Sequence, residues 1–155
     1  MSTVWRIRIR PRVADPPSAR GLIDTSVVID LERVAPDALP SEIAIAAVTV
    51  AELAAGPHAT RDPTERARRQ DRLQRADATF AAIPFDAAAA RAYGRLYAEV
   101  AAAGRKARGR RALDLLIAAT ALAAELPLYT RNPSDFDGLG ALIDVTAVSA
   151  GTVAD

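Results

Sequence analysis

From Gly21 onward, short apolar runs of strand length take turns with longer stretches of helical periodicity. A chain ordered in this way buries its apolar faces by pairing the strands in a mostly parallel sheet and covering that sheet with helices, through right-handed crossovers. Residues 22–24 make the first strand. A helix capped by Thr25 or Ser26 then runs to about Arg33, ahead of Pro36. Residues 42–46 form the second strand, and Thr49 opens a short helix that Gly56 closes. Residues 63–79 read as a charged helix with Leu73, Ala76 and Phe80 on its narrow apolar side. A strand at 82–85 precedes Asp86, the N-cap of a helix over 87–103 that Gly104 ends. In that helix Tyr93, Leu96, Tyr97 and Val100 recur at three- and four-residue spacing, a stripe suited to the core or to a dimer surface. Residues 111–126 form an almost wholly apolar helix that belongs at the centre, and 127–130 and 142–146 supply the last two of five strands.

With 155 residues the chain suits one domain with a single core. It has no cysteine, which excludes disulfides and thiolate metal sites, and its one histidine, His58, follows Gly56-Pro57 and reads as an exposed loop residue. No stretch approaches the roughly 18 apolar residues of a membrane span, and the start lacks an apolar signal core, so the expected location is cytoplasmic. The formal charge of +1 is unevenly spread. Five of the 20 basic residues lie in the first 20 positions against one acid, leaving an acidic remainder that is no general polyanion binder. Residues 1–19, with Pro11, Pro16 and Pro17, are expected to form a flexible extension, 20–150 the domain, and 151–155 a short tail.

Four acids fall where a strand hands over to a helix or loop: Asp24, Glu52, Asp114 and Asp135. In an open parallel sheet, ligands collect at the carboxyl ends of the strands, so acids placed there can converge from distant parts of the chain. Such hard oxygens suit Mg²⁺ or Mn²⁺. Each acid also has a plainer reading. Asp24 could cap a helix, although Thr25 and Ser26 are at hand for that, and Thr49-Val50-Ala51-Glu52 fits a capping box. Asp114 could stabilise a helix dipole from the first turn. Asn132-Pro133-Ser134-Asp135 also fits a turn before Phe136.

The segments LIDTS at 22–26, TVAEL at 49–53, ALDLLIAATAL at 112–122 and LYTRNPSDF at 128–136 occur in this order. Together they resemble the PIN domain and, within it, the VapC-type ribonuclease toxins of bacterial toxin–antitoxin pairs, over residues 21–148. The resemblance implies a three-layer α/β fold with a central, mostly parallel five-stranded sheet flanked by helices. It also implies a metal-dependent endoribonuclease in which Asp24, Glu52, Asp114 and Asp135 hold Mg²⁺ or Mn²⁺, leaving a 5′-phosphate and a 3′-hydroxyl. A cognate VapB-type antitoxin and a homodimer are the implied partners.

Thr25, Ser26, Thr130 and Asn132 are candidates to assist this site, Asn132 standing where some relatives carry a further acid. Arg105, Lys106, Arg108, Arg110 and Arg111, just ahead of Asp114, can hold RNA phosphates or form a solvated loop. The competing class is a catalytically silent PIN-like binding module. A haloacid-dehalogenase-type phosphatase would need a second Asp where Ser26 stands, and a P-loop enzyme a Gly-rich cradle that is absent.

Overall fold

Five short strands, all parallel, form one sheet in the order β3-β2-β1-β4-β5: β1 Arg20–Ile23, β2 Glu42–Ala46, β3 Ala82–Ile83, β4 Leu128–Thr130 and β5 Val145–Ala147. The computed structural model describes residues 19–151, so the expected extension lies outside the described residues save for Ala19, and the expected tail save for Gly151. The Ala19 carbonyl accepts from the Glu42 N–H at 2.8 Å and the Ser41 hydroxyl at 2.9 Å. Five α-helices accompany the strands: α1 Thr25–Ile29, α2 Ala47–Ala55, α3 Pro63–Thr79, α4 Ala87–Ala102 and α5 Arg110–Ala123.

The period-2 alternation of the strands divides the core in two. Leu22 and Leu128 face one side and pack with Leu96 and Val100 of α4 and with Leu115, Ile117 and Ala118 of α5. Their neighbours Ile23 and Tyr129 face the other side, with Val27 and Val28 of α1, Leu53 of α2 and Ala76 of α3. Helices thus cover both faces of an α/β sheet, as expected.

Element ends differ from the expectations for local reasons. α1 stops at Ile29 and passes through Asp30 into a 3₁₀ turn at Leu31–Arg33. α2 begins at Ala47, two residues before Thr49. α5 ends at Ala123, because Glu125 turns left-handed (φ 55°) and the Leu126 N–H closes back onto the Ala121 carbonyl at 2.9 Å, a Schellman closure without the usual glycine. The α4 stripe divides: Leu96 and Val100 are core, whereas Tyr97 remains about half exposed. On α3 the ion pairs Arg69–Glu65 and Arg75–Asp71 at i,i+4 spacing fit a solvated face.

Gly21 is needed where β1 passes beneath Tyr129. A Cβ there would lie 2.5 Å from Tyr129 Cε2 and 2.8 Å from Pro40 Cγ. Gly21→Ala is therefore expected to overpack this layer and cost about 1–3 kcal/mol, read as a melting temperature several degrees lower by circular dichroism.

Candidate active site

The chain runs from β1 outward to β2 and β3, then crosses back to lay β4 on the other side of β1. The carboxyl ends of β1 and β4 therefore flank the point where strand order reverses, the usual ligand crevice of such sheets. Asp24 directly follows β1, and Thr130 ends β4.

Asp24 is only 4% exposed and caps α1 itself: its Oδ1 accepts from the Val27 N–H at 3.2 Å and from the Ser26 hydroxyl at 2.6 Å. The expected division of labour, with Thr25 or Ser26 as cap, is thus replaced by one in which Ser26 serves Asp24. The fully buried Thr130 hydroxyl, 3.4 Å from Ser26 Oγ, stands beside this carboxylate and favours its charged form. Burial raises the Asp24 pKa, and these donors pull it part of the way back.

Glu52 lies in the sixth position of α2, and the residue preceding that helix is Ala46, so the capping box with Thr49 does not form. The Thr25 hydroxyl, from the first turn of α1, donates to Glu52 Oε1 at 2.8 Å and stands 3.1 Å from the Thr49 hydroxyl. One hydroxyl proton cannot serve both. The nearer, charged Glu52 oxygen is the stronger acceptor for that proton, and the buried Thr49 oxygen is the alternative one.

Asp114 is the fifth residue of α5, beyond the first turn where a helix dipole would reward it. Its pKa is raised to about 6, first by desolvation, then by the charges of Asp135, Asp24 and Glu52, against the opposing effect of Arg110. Acids from four separate parts of the chain thus share one electrostatic neighbourhood centred on Asp114. Asp135 sits in the 3₁₀ turn Pro133–Phe136, its N–H bonded to the Asn132 carbonyl at 3.0 Å, so it belongs to a turn and to this neighbourhood at once. Among the described residues no three acids or histidines stand close enough together to make a ready-formed metal cage. The residues that could take part in holding a hard cation are Asp24, Glu52, Asp114 and Asp135, whose oxygens suit Mg²⁺, an ion often bound through only one or two carboxylates.

The basic run does not act as a block. Arg105 is tied to Asp137, donating to its carbonyl at 3.3 Å, and Arg110 is the one whose charge reaches Asp114. Lys106, Arg108 and Arg111 are exposed, as is His58. Asn132 is exposed too, and its N–H donates to the Thr130 hydroxyl at 3.0 Å. From sequence Thr49 has only a helix-opening or capping role, and Asp30 and Arg131 are passed over. The Arg131 N–H donates to Ser26 Oγ at 3.0 Å, and its guanidinium meets Asp30 Oδ2 at 2.6 Å. A cleft of about 770 Å³ between α1 and α3, lined among others by Ile29, Arg33, Arg72 and Phe80, contains none of the four acids, so cleft size does not locate this site.

A parallel sheet covered by helices on both faces, with Asp24 at its switch point, places the chain among the α/β proteins, and comparison with known proteins narrows the class. The PIN domain model matches residues 21–141. Ribonuclease VapC5 of Mycobacterium tuberculosis (strain ATCC 25618 / H37Rv) is 37% identical over 133 residues, covering 84% of this chain and 95% of that protein. The crystal structure of VapBC-5 from Mycobacterium tuberculosis, a member of the VapBC family of toxin–antitoxin systems, superposes with a TM-score of 0.70 at 33% identity, over 84% of this chain and 99% of that one. A toxin–antitoxin complex from Klebsiella pneumoniae gives a TM-score of 0.55 at 28% identity, over 82% and 96% of the two chains. The chain belongs to the PIN domain family, in its VapC branch.

Proposed function

We propose that this protein is an endoribonuclease toxin that hydrolyses RNA with Mg²⁺ or Mn²⁺ and is held inactive by a cognate VapB-type antitoxin. What supports this reading best is the place of Asp24 at the switch point of the sheet, together with an Asp114 carboxyl raised to about 6 by desolvation and by the charges of Asp135, Asp24 and Glu52. Carboxylates so crowded repel one another and repel RNA, and a divalent cation offsets both. When bound, such an ion makes water nucleophilic and offsets charge on the scissile phosphate.

The chain's own residues do the rest. Asp24, with Oδ1 fixed by Val27 and Ser26, and Glu52, steered by Thr25, present oriented oxygens from α1 and α2. Asp114 and Asp135 complete the set from α5 and the turn after β4. Arg110 stands beside the acids and can take up a neighbouring phosphate, since an Arg fork matches phosphate oxygens. No side-chain nucleophile is required. A homodimer belongs to the same reading, with Tyr97 and Leu113 as exposed apolar side chains available to it.

Purified protein should cleave RNA only with Mg²⁺ or Mn²⁺, leaving 5′-phosphate and 3′-hydroxyl ends, and Asp24→Asn should not. Sequencing RNA ends after brief induction in cells reads the same contrast. Binding without cleavage at any metal concentration would favour the silent binding module. Replacing Arg108 and Arg110 by Gln should weaken RNA binding and lower its salt slope by about one for each phosphate that is no longer neutralised. An unchanged slope would return these residues to the solvent.

A further inference from the structure

Of the two peptide N–H groups that follow β4, one is routed to Asp24 through the Ser26 hydroxyl and the other holds the Thr130 hydroxyl beside it. The Arg131 N–H donates to Ser26 Oγ at 3.0 Å, and the Ser26 proton goes to Asp24 Oδ1 at 2.6 Å, because a carboxylate can only accept. The Asn132 N–H donates to Thr130 Oγ1 at 3.0 Å, and that hydroxyl lies 3.4 Å from Ser26 Oγ, the group that donates to Asp24. Each donor polarises the next, so the position of residues 131 and 132 sets how Asp24 is held. This stretch leaves the sheet after Thr130, where ladder pairing no longer restrains it.

What restrains it is a side chain. The Arg131 guanidinium meets Asp30 Oδ2 at 2.6 Å, with only 23% and 31% of the two side chains exposed. Asp30 is the residue at which α1 ends. The pair therefore joins the far end of α1 to the chain leaving β4, across a helix whose other end is capped by Asp24. We infer that the Asp30–Arg131 ion pair is a positioning device for Asp24, acting through the Ser26 and Thr130 hydroxyls. The inference rests on the metal-site reading above for its functional effect, though not for its structural one. Outer partners of metal ligands typically matter by about 10–100-fold in affinity or activity.

The test compares Asp30→Ala, Arg131→Met and the double variant by native-state amide exchange and by steady-state RNA cleavage with Mn²⁺. Expected are exchange at the Arg131 and Asn132 amides faster by at least about tenfold, and kcat lower by about 10–100-fold with KM for RNA little changed. The double variant should fall no further than either single one, as for residues that act as a unit. Unaltered exchange at both amides would overturn the inference. So would equal acceleration at Leu22 and Ile23 in β1, which would mark an ordinary stability contact. A rise in KM for Arg131→Met with Asp30→Ala silent would make Arg131 a direct RNA ligand and equally reject the pair. Wild-type protein without metal-dependent cleavage would defeat the nuclease reading instead, and the exchange data would then decide the positioning claim alone.

Discussion

Asp114→Asn is expected to lose RNA cleavage by more than about 100-fold, beyond the usual cost of losing an outer partner of a metal ligand, while making the metal-free fold more stable at neutral pH. The sign follows from the raised pKa of about 6 against an ordinary 3.8. Between those values the native state binds the proton better than the unfolded chain, so stability falls as pH rises through this window. The penalty is complete above about pH 6 and absent below about pH 4, and Asn removes it. Because Asp114 is partly exposed, roughly 1–3 kcal/mol at pH 7 is the expected gain. With EDTA present, the variant should melt higher than wild type at pH 7.5, and the gap should close at pH 4. A gap independent of pH would detach the effect from this carboxyl, and activity within tenfold of wild type would remove Asp114 from the chemistry.

Adding metal should reverse the electrostatic penalty in the wild type. An ion that binds the native acids and not the unfolded chain, supplied at a hundred times its Kd, stabilises by about 2.7 kcal/mol, or roughly 5–10 °C in melting temperature for a domain of this size. Asp24→Asn is the informative control, since Asn is as good an N-cap as Asp and its Oδ1 can still accept from Val27 and Ser26. The variant keeps the cap and loses the charge. Its metal-induced shift should therefore shrink, at fixed ionic strength to keep general screening constant. Equal shifts in the two proteins would exclude Asp24 as a ligand.

Much of the fold is readable in the sequence because apolar runs and helix punctuation agree. Glu42–Ala46 and Pro63–Thr79 fall at the expected bounds. Asp86 caps α4 through the Ala89 N–H, as its place before the periodic stripe implies. Reading fails where the local signal points to something tertiary packing does not build. Thr49 and Glu52 have the spacing of a capping box, yet α2 starts upstream at a position with no capping side chain. Glu125 gives no hint of a left-handed turn, a conformation usually left to Gly or Asn. The four acids are legible through their motifs, whereas the central place of Asp114 and the cap on Asp24 depend on how side chains meet in space. Asp30 and Arg131 stand 101 positions apart, and neither has a neighbour in sequence that points to the other.

Because β4 inserts beside β1 rather than following β3, the acidic neighbourhood has a consequence for synthesis. The chain must be made through Asp135 before the last of these four acids exists, and β1 has no partner on that side until Leu128–Thr130 arrives. At about 5–20 residues per second, the roughly hundred residues between β1 and β4 take about 5–20 s to synthesise, so β1 waits that long for this partner. A nascent chain thus carries Asp24 and Glu52 before the helix and strand that bring Asp114 and Asp135 to them, and the order of the strands makes assembly of the acidic neighbourhood a late event in synthesis.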